Sequence, residues 1–242
     1  MRPLVSFVFW LFLATSSVPL FGVALVVFAL TLPFDRNAKL LHLYSCAWAQ
    51  LYFAVNPWWR LRVDGRSKLP WRSAAVLVAN HESLADILVL FGLFRPFKWV
   101  SKRSAFNLPF IGWNMWLNRY VPLVRGDRTS VTRMLETCER WLRRGVPVLL
   151  FPEGTRSEDG NVKAFKEGAF YLAVRTGAPV IPIALSGTGR TLPKHGWVLR
   201  ESARCKVRVL DPVDPKAFNG DASALSAAVR ERIIEAKRSL DG

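Results

Sequence analysis

Between Pro3 and Phe34 the chain carries no charged side chain. That apolar run exceeds the ~20 residues a helix needs to cross the hydrocarbon core of a bilayer. It also continues well past the ~7–15 apolar residues of a cleaved signal core. The segment from 3 to 34 is therefore expected to stay in a membrane and to hold the rest of the chain against it. Pro19 and the cluster Thr15-Ser16-Ser17 interrupt the run, which leaves two readings open: one kinked span, or the bend of a re-entrant helical hairpin. From Asp35 to Trp59, Leu40, Leu43, Ala47, Leu51 and Ala54 recur at helical spacing, and Pro57 closes the segment. An amphipathic helix on the membrane surface is predicted over 35–59, with simple packing on the main domain as the alternative. Residues 1–60 then form an anchoring region and 61–242 the main domain.

The 242 residues hold 34 Lys and Arg against 18 Asp and Glu, a net charge of +16, and the excess lies almost wholly after Phe34. A basic surface attracts anionic lipid and nucleic acid alike. Beside an apolar N-terminus, membrane lipid is the favoured partner. No zinc-finger spacing, basic-zipper heptad or aromatic RNA-binding signature accompanies the charge, so nucleic acid is not expected. The positive-inside tendency places the main domain on the cytoplasmic face of an inner, cytoplasmic membrane. Trp58, Trp59, Trp113, Trp116 and Trp141 stand near positive charge, which suits an interface where an indole has one apolar and one wet side. Cys46, Cys138 and Cys205 are too scattered for a disulfide framework or a metal cluster, which points to a reducing compartment.

After Asp64-Gly65 the pattern changes. Short apolar runs at 74–79, 99–100, 146–151, 180–185 and 207–210 read as buried strands. Between them lie helical stretches: 131–144, with Val131, Leu135, Cys138 and Leu142 on one face, and 223–240 at the end. The expected fold is α/β: a mixed, largely parallel sheet flanked by helices, preceded by an N-terminal membrane-embedded helical segment.

Two motifs carry chemistry. Asn80-His81-Glu82-Ser83-Leu84-Ala85-Asp86 stands where a buried strand runs into a helix, the end of an α/β sheet at which ligands bind. His81 suits removal of a hydroxyl proton near neutrality. Asp86 is placed to hold the imidazole tautomer and stabilise the imidazolium. Ser83-x-x-Asp86 is equally a capping box, in which Asp86 reaches back to a free N–H at the helix start, so spacing alone leaves both roles open. Phe151-Pro152-Glu153-Gly154-Thr155-Arg156-Ser157 follows a second apolar strand. An arginine fork matches phosphate, and Gly154 lets backbone approach an anion, although the same residues also suit a plain solvated turn.

Taken together, the two motifs resemble those of the glycerolipid acyltransferases, the lysophosphatidic acid acyltransferases and their relatives. That family pairs a histidine and an aspartate across four residues, with a Glu-Gly-Thr-Arg block downstream. The resemblance extends over most of 63–210: 98–106 resembles the basic strand and turn after the first block, 107–116 with 120–127 the acceptor-binding region, and Val180-Ile181-Pro182-Ile183 the last block. It implies His81 as general base and Asp86 as its orienting partner. It further implies Arg125, Glu153, Gly154, Thr155 and Arg156 as ligands of a glycerol phosphate, and Pro182 on the acyl-donor side. Lys102 and Arg103 would help collect the anionic head group. Before Arg125 the chain reads Tyr120-Val121-Pro122-Leu123-Val124 rather than the family's common Gly-x-x-Phe-Ile.

The implied reaction moves a fatty acyl chain from acyl-CoA or acyl carrier protein to the sn-2 hydroxyl of 1-acyl-glycerol-3-phosphate, giving phosphatidic acid, with no metal or cofactor. Three alternatives stand beside it: transfer to another lysophospholipid or a lyso-aminolipid, a lipid hydrolase or phosphatase using His81 with water, and non-catalytic binding of anionic lipid. No Gly-x-Ser-x-Gly elbow is present, which argues against the common serine-lipase arrangement.

Overall fold

A computed structural model describes residues 2–192, 196–199 and 202–241. In chain order the elements are α1 (Arg2–Thr31), α2 (Lys39–Ala54), β1 (Trp59–Asp64), β2 (Val76–Ala79), α3 (Ala85–Phe91), β3 (Lys98–Lys102), α4 (Ile111–Leu117), β4 (Val121–Leu123), α5 (Arg128–Arg143), β5 (Val148–Leu150), α6 (Gly168–Thr176), β6 (Val180–Ser186), β7 (Ala203–Val209) and α7 (Ala222–Asp241). The strands form one sheet in the order β1-β7-β6-β2-β5-β3-β4. Every pairing is parallel except β6 with β7. The sheet is thus mixed and largely parallel, as expected.

Helices cover both faces, so the central strands are apolar on both sides. Along β2, Val76 and Val78 face the layer of α5, α6 and α7, whereas Leu77 and Ala79 face the layer that includes α2 and α3. β1 and β4 were not among the expected strands. β1 lies at the edge and alternates Trp59, Leu61 and Val63 with Arg60, Arg62 and Asp64, a half-buried pattern hidden by its arginines. β4 is only three residues and contains Pro122.

The N-terminal run is one continuous helix. The Thr15, Ser16 and Ser17 hydroxyls donate back to the carbonyls of Leu11, Phe12 and Leu13. These polar groups are therefore satisfied inside a helix rather than marking a turn. Pro19 is accommodated within α1 without ending it. The chain turns back instead at 32–38, and α2 runs antiparallel to α1: Tyr52 meets Ser17, while the Tyr44 hydroxyl donates to the Leu20 carbonyl. α1 is docked along its length, with Leu199 N–H donating to Ser6, Trp10 Nε1 donating to the Trp197 carbonyl, Phe9 against Trp59, and Phe21 against Trp113.

The predicted helix of 35–59 is shorter, because Trp59 opens β1. Leu40, Ala47, Leu51 and Ala54 face outward, while Leu41, Cys46, Trp48, Ala49 and Phe53 pack inward. α2 consequently packs on the domain with one face and leaves an apolar stripe exposed on the other. Trp58, Trp113 and Trp116 are exposed as an interface requires, but Trp59 and Trp141 are not. Trp59 packs on Phe9 and Phe53, and Trp141 lies beneath the Lys98 ammonium at 4.8 Å.

Candidate active site

The expected site residues lie at the carboxyl ends of four adjacent parallel strands: His81 after β2, Glu153–Arg156 after β5, Lys102 at the end of β3, and Arg125 just past β4. Parallel register (Val78 opposite Leu150, Lys102 opposite Leu123) brings motifs far apart in sequence to one edge of the sheet. This is where open α/β sheets bind ligands.

His81 is fixed from every side. Its Nδ1 lies 2.7 Å from Asp86 Oδ2. The same oxygen accepts from the N–H groups of Glu82 and Ser83 at 2.7 and 2.9 Å. Capping and pairing are therefore one arrangement, with a fully buried Asp86 performing both. The His81 ring stacks on Phe151 at 4.0 Å with an interplanar angle of 13°. Its N–H donates to Glu153 Oε1 at 2.7 Å, and its carbonyl accepts from Ser157 N–H at 2.7 Å. The second motif thus grips the backbone of the first. Asn80 adds a further clamp, its amide exchanging two hydrogen bonds with the backbone of Leu185 in β6.

A cavity of about 830 Å³ opens at this edge. His81, Lys102, Arg125, Gly154, Thr155, Arg156 and Lys166 line its polar part. Leu84, Ile87, Leu88, Phe91, Trp48, Ala49 and Ile111 line an apolar arm that runs beneath α2 and α3. With Nδ1 committed to Asp86, Nε2 is the His81 ring atom left for a substrate. Arg156 Nη1 is buried without a hydrogen-bond partner among the described residues. Burial foremost, followed by the opposing influences of Asp86 and the nearby Arg125 charge, leaves the Arg156 guanidinium below its usual range. A guanidinium with one buried nitrogen left unpaired among the described residues, lining the same cavity as three other cations, is a site for an anion.

Other expected residues fall elsewhere. Glu153 is not in the anion cradle: it is buried, with Oε1 on His81 N–H and Oε2 on Lys163 N–H, so it positions the loop. A carboxylate turned to a phosphate would repel it. Arg103 stacks over Trp116 at 4.8 Å and does not line the cavity. Pro182 is buried within β6, opposite Val78, and is likewise absent from the cavity wall. Gly154 adopts φ 71°, and the Lys166 side chain passes 3.0 Å from where a Cβ would stand. Lys166 and the stacking role of Phe151 went unassigned in the sequence, since no local spacing ties either to His81. None of the three buried cysteines lines the cavity, and burial pushes the thiols of Cys138 and Cys205 up to about 12.

The family model described as Acyltransferase matches residues 60–186. The chain is 44% identical over 231 residues to a 1-acyl-sn-glycerol-3-phosphate acyltransferase of Chlamydomonas reinhardtii, covering 95% of this chain and 68% of that protein. It is 36% identical over 204 residues to a chloroplastic enzyme of the same name from Arabidopsis thaliana, covering 84% and 55%. A Pseudomonas aeruginosa protein of that name is 31% identical over 190 residues, with 78% and 73% covered. Among solved structures, the 1-acyl-sn-glycerophosphate (LPA) acyltransferase of Thermotoga maritima superposes with a TM-score of 0.84 at 26% identity, covering all of this chain and 96% of that one.

Proposed function

The chain belongs to the acyltransferase family, among the 1-acyl-sn-glycerol-3-phosphate acyltransferases, and from that premise we propose that it acylates the sn-2 hydroxyl of 1-acyl-glycerol-3-phosphate to give phosphatidic acid. The observation that carries this reading is one cavity holding three things together: an oriented imidazole, a guanidinium whose buried Nη1 has no partner among the described residues beside three further cations, and an apolar arm. The acceptor phosphate sits against Arg156, Arg125, Lys102 and Lys166, and an acyl chain lies in the arm. Thr155 and the Gly154 backbone close the polar end.

His81 Nε2 takes the proton of the acceptor hydroxyl as that oxygen attacks the thioester carbonyl. Asp86 stabilises the imidazolium and keeps Nδ1 protonated. The tetrahedral intermediate then collapses with cleavage of the C–S bond. The leaving thiolate takes the proton back from Nε2, which returns the site to its starting state. No acyl-enzyme forms, so neither serine nor cysteine is needed as a nucleophile. The donor is acyl-CoA or acyl carrier protein, both of which present an anionic pantetheine-bearing carrier to a basic rim.

The chain works at a membrane. Leu4, Phe7, Val8, Leu11, Val18 and Leu25 of α1 form an exposed apolar stripe, with Leu40 and Leu51 of α2 exposed beside it. Because α1 is docked to the domain from Ser6 to Phe21, it seats the domain on one leaflet instead of standing across the bilayer. The basic domain faces the cytoplasm in this reading. The test is a matrix of labelled palmitoyl-CoA and palmitoyl-acyl carrier protein against lysophosphatidic acid, lysophosphatidylcholine, lysophosphatidylethanolamine and a lyso-aminolipid. Label in phosphatidic acid above all other products supports the reading, and equal transfer to the zwitterionic acceptors, which lack a terminal phosphate, overturns the role given to the four cations.

A further inference from the structure

Behind the His81–Asp86 pair lies a second carboxylate that the reaction does not use. Glu82 is buried, and its N–H donates to the same Asp86 oxygen that holds the imidazole. Two carboxylates this close repel, and each raises the cost of ionising the other. Burial and Asp86 push Glu82 above the usual carboxylate range, and Lys237 pulls it back. Lys237 belongs to α7 at the far end of the chain, and its Nζ lies 3.0 Å from Glu82 Oε1 in a largely buried ion pair. The other Glu82 oxygen accepts from Gly189 N–H at 3.3 Å and the Thr188 hydroxyl at 3.4 Å. Asp241 fixes Lys237 from one turn on, at 2.7 Å, and itself accepts from Ser186 at the end of β6.

We propose that Lys237 is a positioning residue for acyl transfer, acting through Glu82 to balance the charge behind the His81–Asp86 pair and to hold the catalytic loop in register. The inference rests on the acyl-transfer reading of the site. Its physical basis is the asymmetry of buried ion pairs: removing one partner leaves the other charge stranded, whereas removing both is tolerated. The charged and titratable groups around the pair are Asp86 in the first turn of α3, Lys237 and Asp241 from α7, Glu153 and Arg156 from the loop after β5, Arg190 near Asp241, and Cys205 of β7. Lys237 is the cation that contacts Glu82 directly among the described residues.

The test is a double-mutant cycle in the full-length protein, with His81→Ala as the control for the reaction itself. Lys237→Met should lower kcat about tenfold or more while leaving the acceptor KM within about twofold. Glu82→Gln should move the acid limb of the kcat/KM profile to lower pH, because an unbalanced Lys237 disfavours the imidazolium. Glu82→Gln with Lys237→Met should restore both towards wild type. Ring NMR of His81 should show the same order of titration midpoints, which keeps the proposal testable even if wild type transfers nothing and the functional reading itself fails. Single variants that lose only thermal stability, with kcat and the His81 midpoint unchanged, would overturn it. So would a double variant as impaired as Lys237→Met.

Discussion

Asp86→Asn separates the two roles that Asp86 combines. In the wild-type site one carboxylate oxygen accepts from His81 Nδ1, Glu82 N–H and Ser83 N–H at 2.7, 2.7 and 2.9 Å. Asparagine keeps an oxygen at that position, so both backbone donors stay satisfied and the loop keeps its shape. The other Asp86 oxygen is buried without a hydrogen-bond partner among the described residues, so the new amide nitrogen inherits a site that was already unpaired. What disappears is the charge facing the imidazolium. A charged hydrogen bond contributes roughly 1 to 1.5 kcal/mol more than a neutral one. Two unit charges about 4 Å apart at an effective dielectric of 20 interact by about 4 kcal/mol. The barrier should therefore rise by about 1 to 4 kcal/mol, a loss of roughly 5- to 1000-fold in kcat. The assay is initial-rate transfer at saturating acceptor, with thermal unfolding in the same detergent. Asp86→Ala should lose at least as much activity and also unfold several degrees earlier, since it strands the two backbone donors. An Asp86→Asn enzyme with wild-type kcat would refute the argument and leave Asp86 as a cap alone.

Arg156→Ala should raise the KM for the phosphate-bearing acceptor by about tenfold or more with a smaller loss in kcat, because it removes an anion contact present in the ground state; a fall in kcat alone would move Arg156 to the transition state. Lys98 gives a pH prediction. Burial foremost, then the Arg119 charge, draws its ammonium down to about 7, while Nζ donates at 2.7 Å to the carbonyls of Asn37 and Asn118. Between pH 7 and about 10 the unfolded chain keeps that proton and the folded one does not, so stability from this group should rise as pH increases through the window. Urea midpoints at pH 7 and pH 9 should diverge for wild type relative to Lys98→Met, and parallel midpoints would refute it.

The parts legible in the sequence were those written as local pattern. An uncharged run of apolar residues needs no partner to be read, and neither does a continuous apolar strand such as Val76–Ala79. The His81–Asp86 spacing showed both of its roles because each joins the loop before α3 to the first turn of that helix, within one short stretch of chain. What escaped was set by neighbours distant in the chain. β1 was hidden because its pairing with β7 buries Trp59 while exposing Arg60 and Arg62. Pro19 and its neighbouring hydroxyls left span and hairpin undecided, since the turn that matters is fixed by Lys98 holding the Asn37 carbonyl. Glu153 stands in a motif that suits an anion site, yet its carboxylate turns to the His81 and Lys163 amides. That direction depends on two adjacent strands and is visible only once they are paired.

The most direct test of the central claim compares wild type with His81→Ala in micelles that contain lysophosphatidic acid and labelled acyl donor, each protein first shown to be folded by thermal unfolding. Wild type should form labelled phosphatidic acid, and a His81→Ala variant of equal stability at least a thousandfold less. Phosphatidic acid formed at comparable rates by both proteins would contradict it.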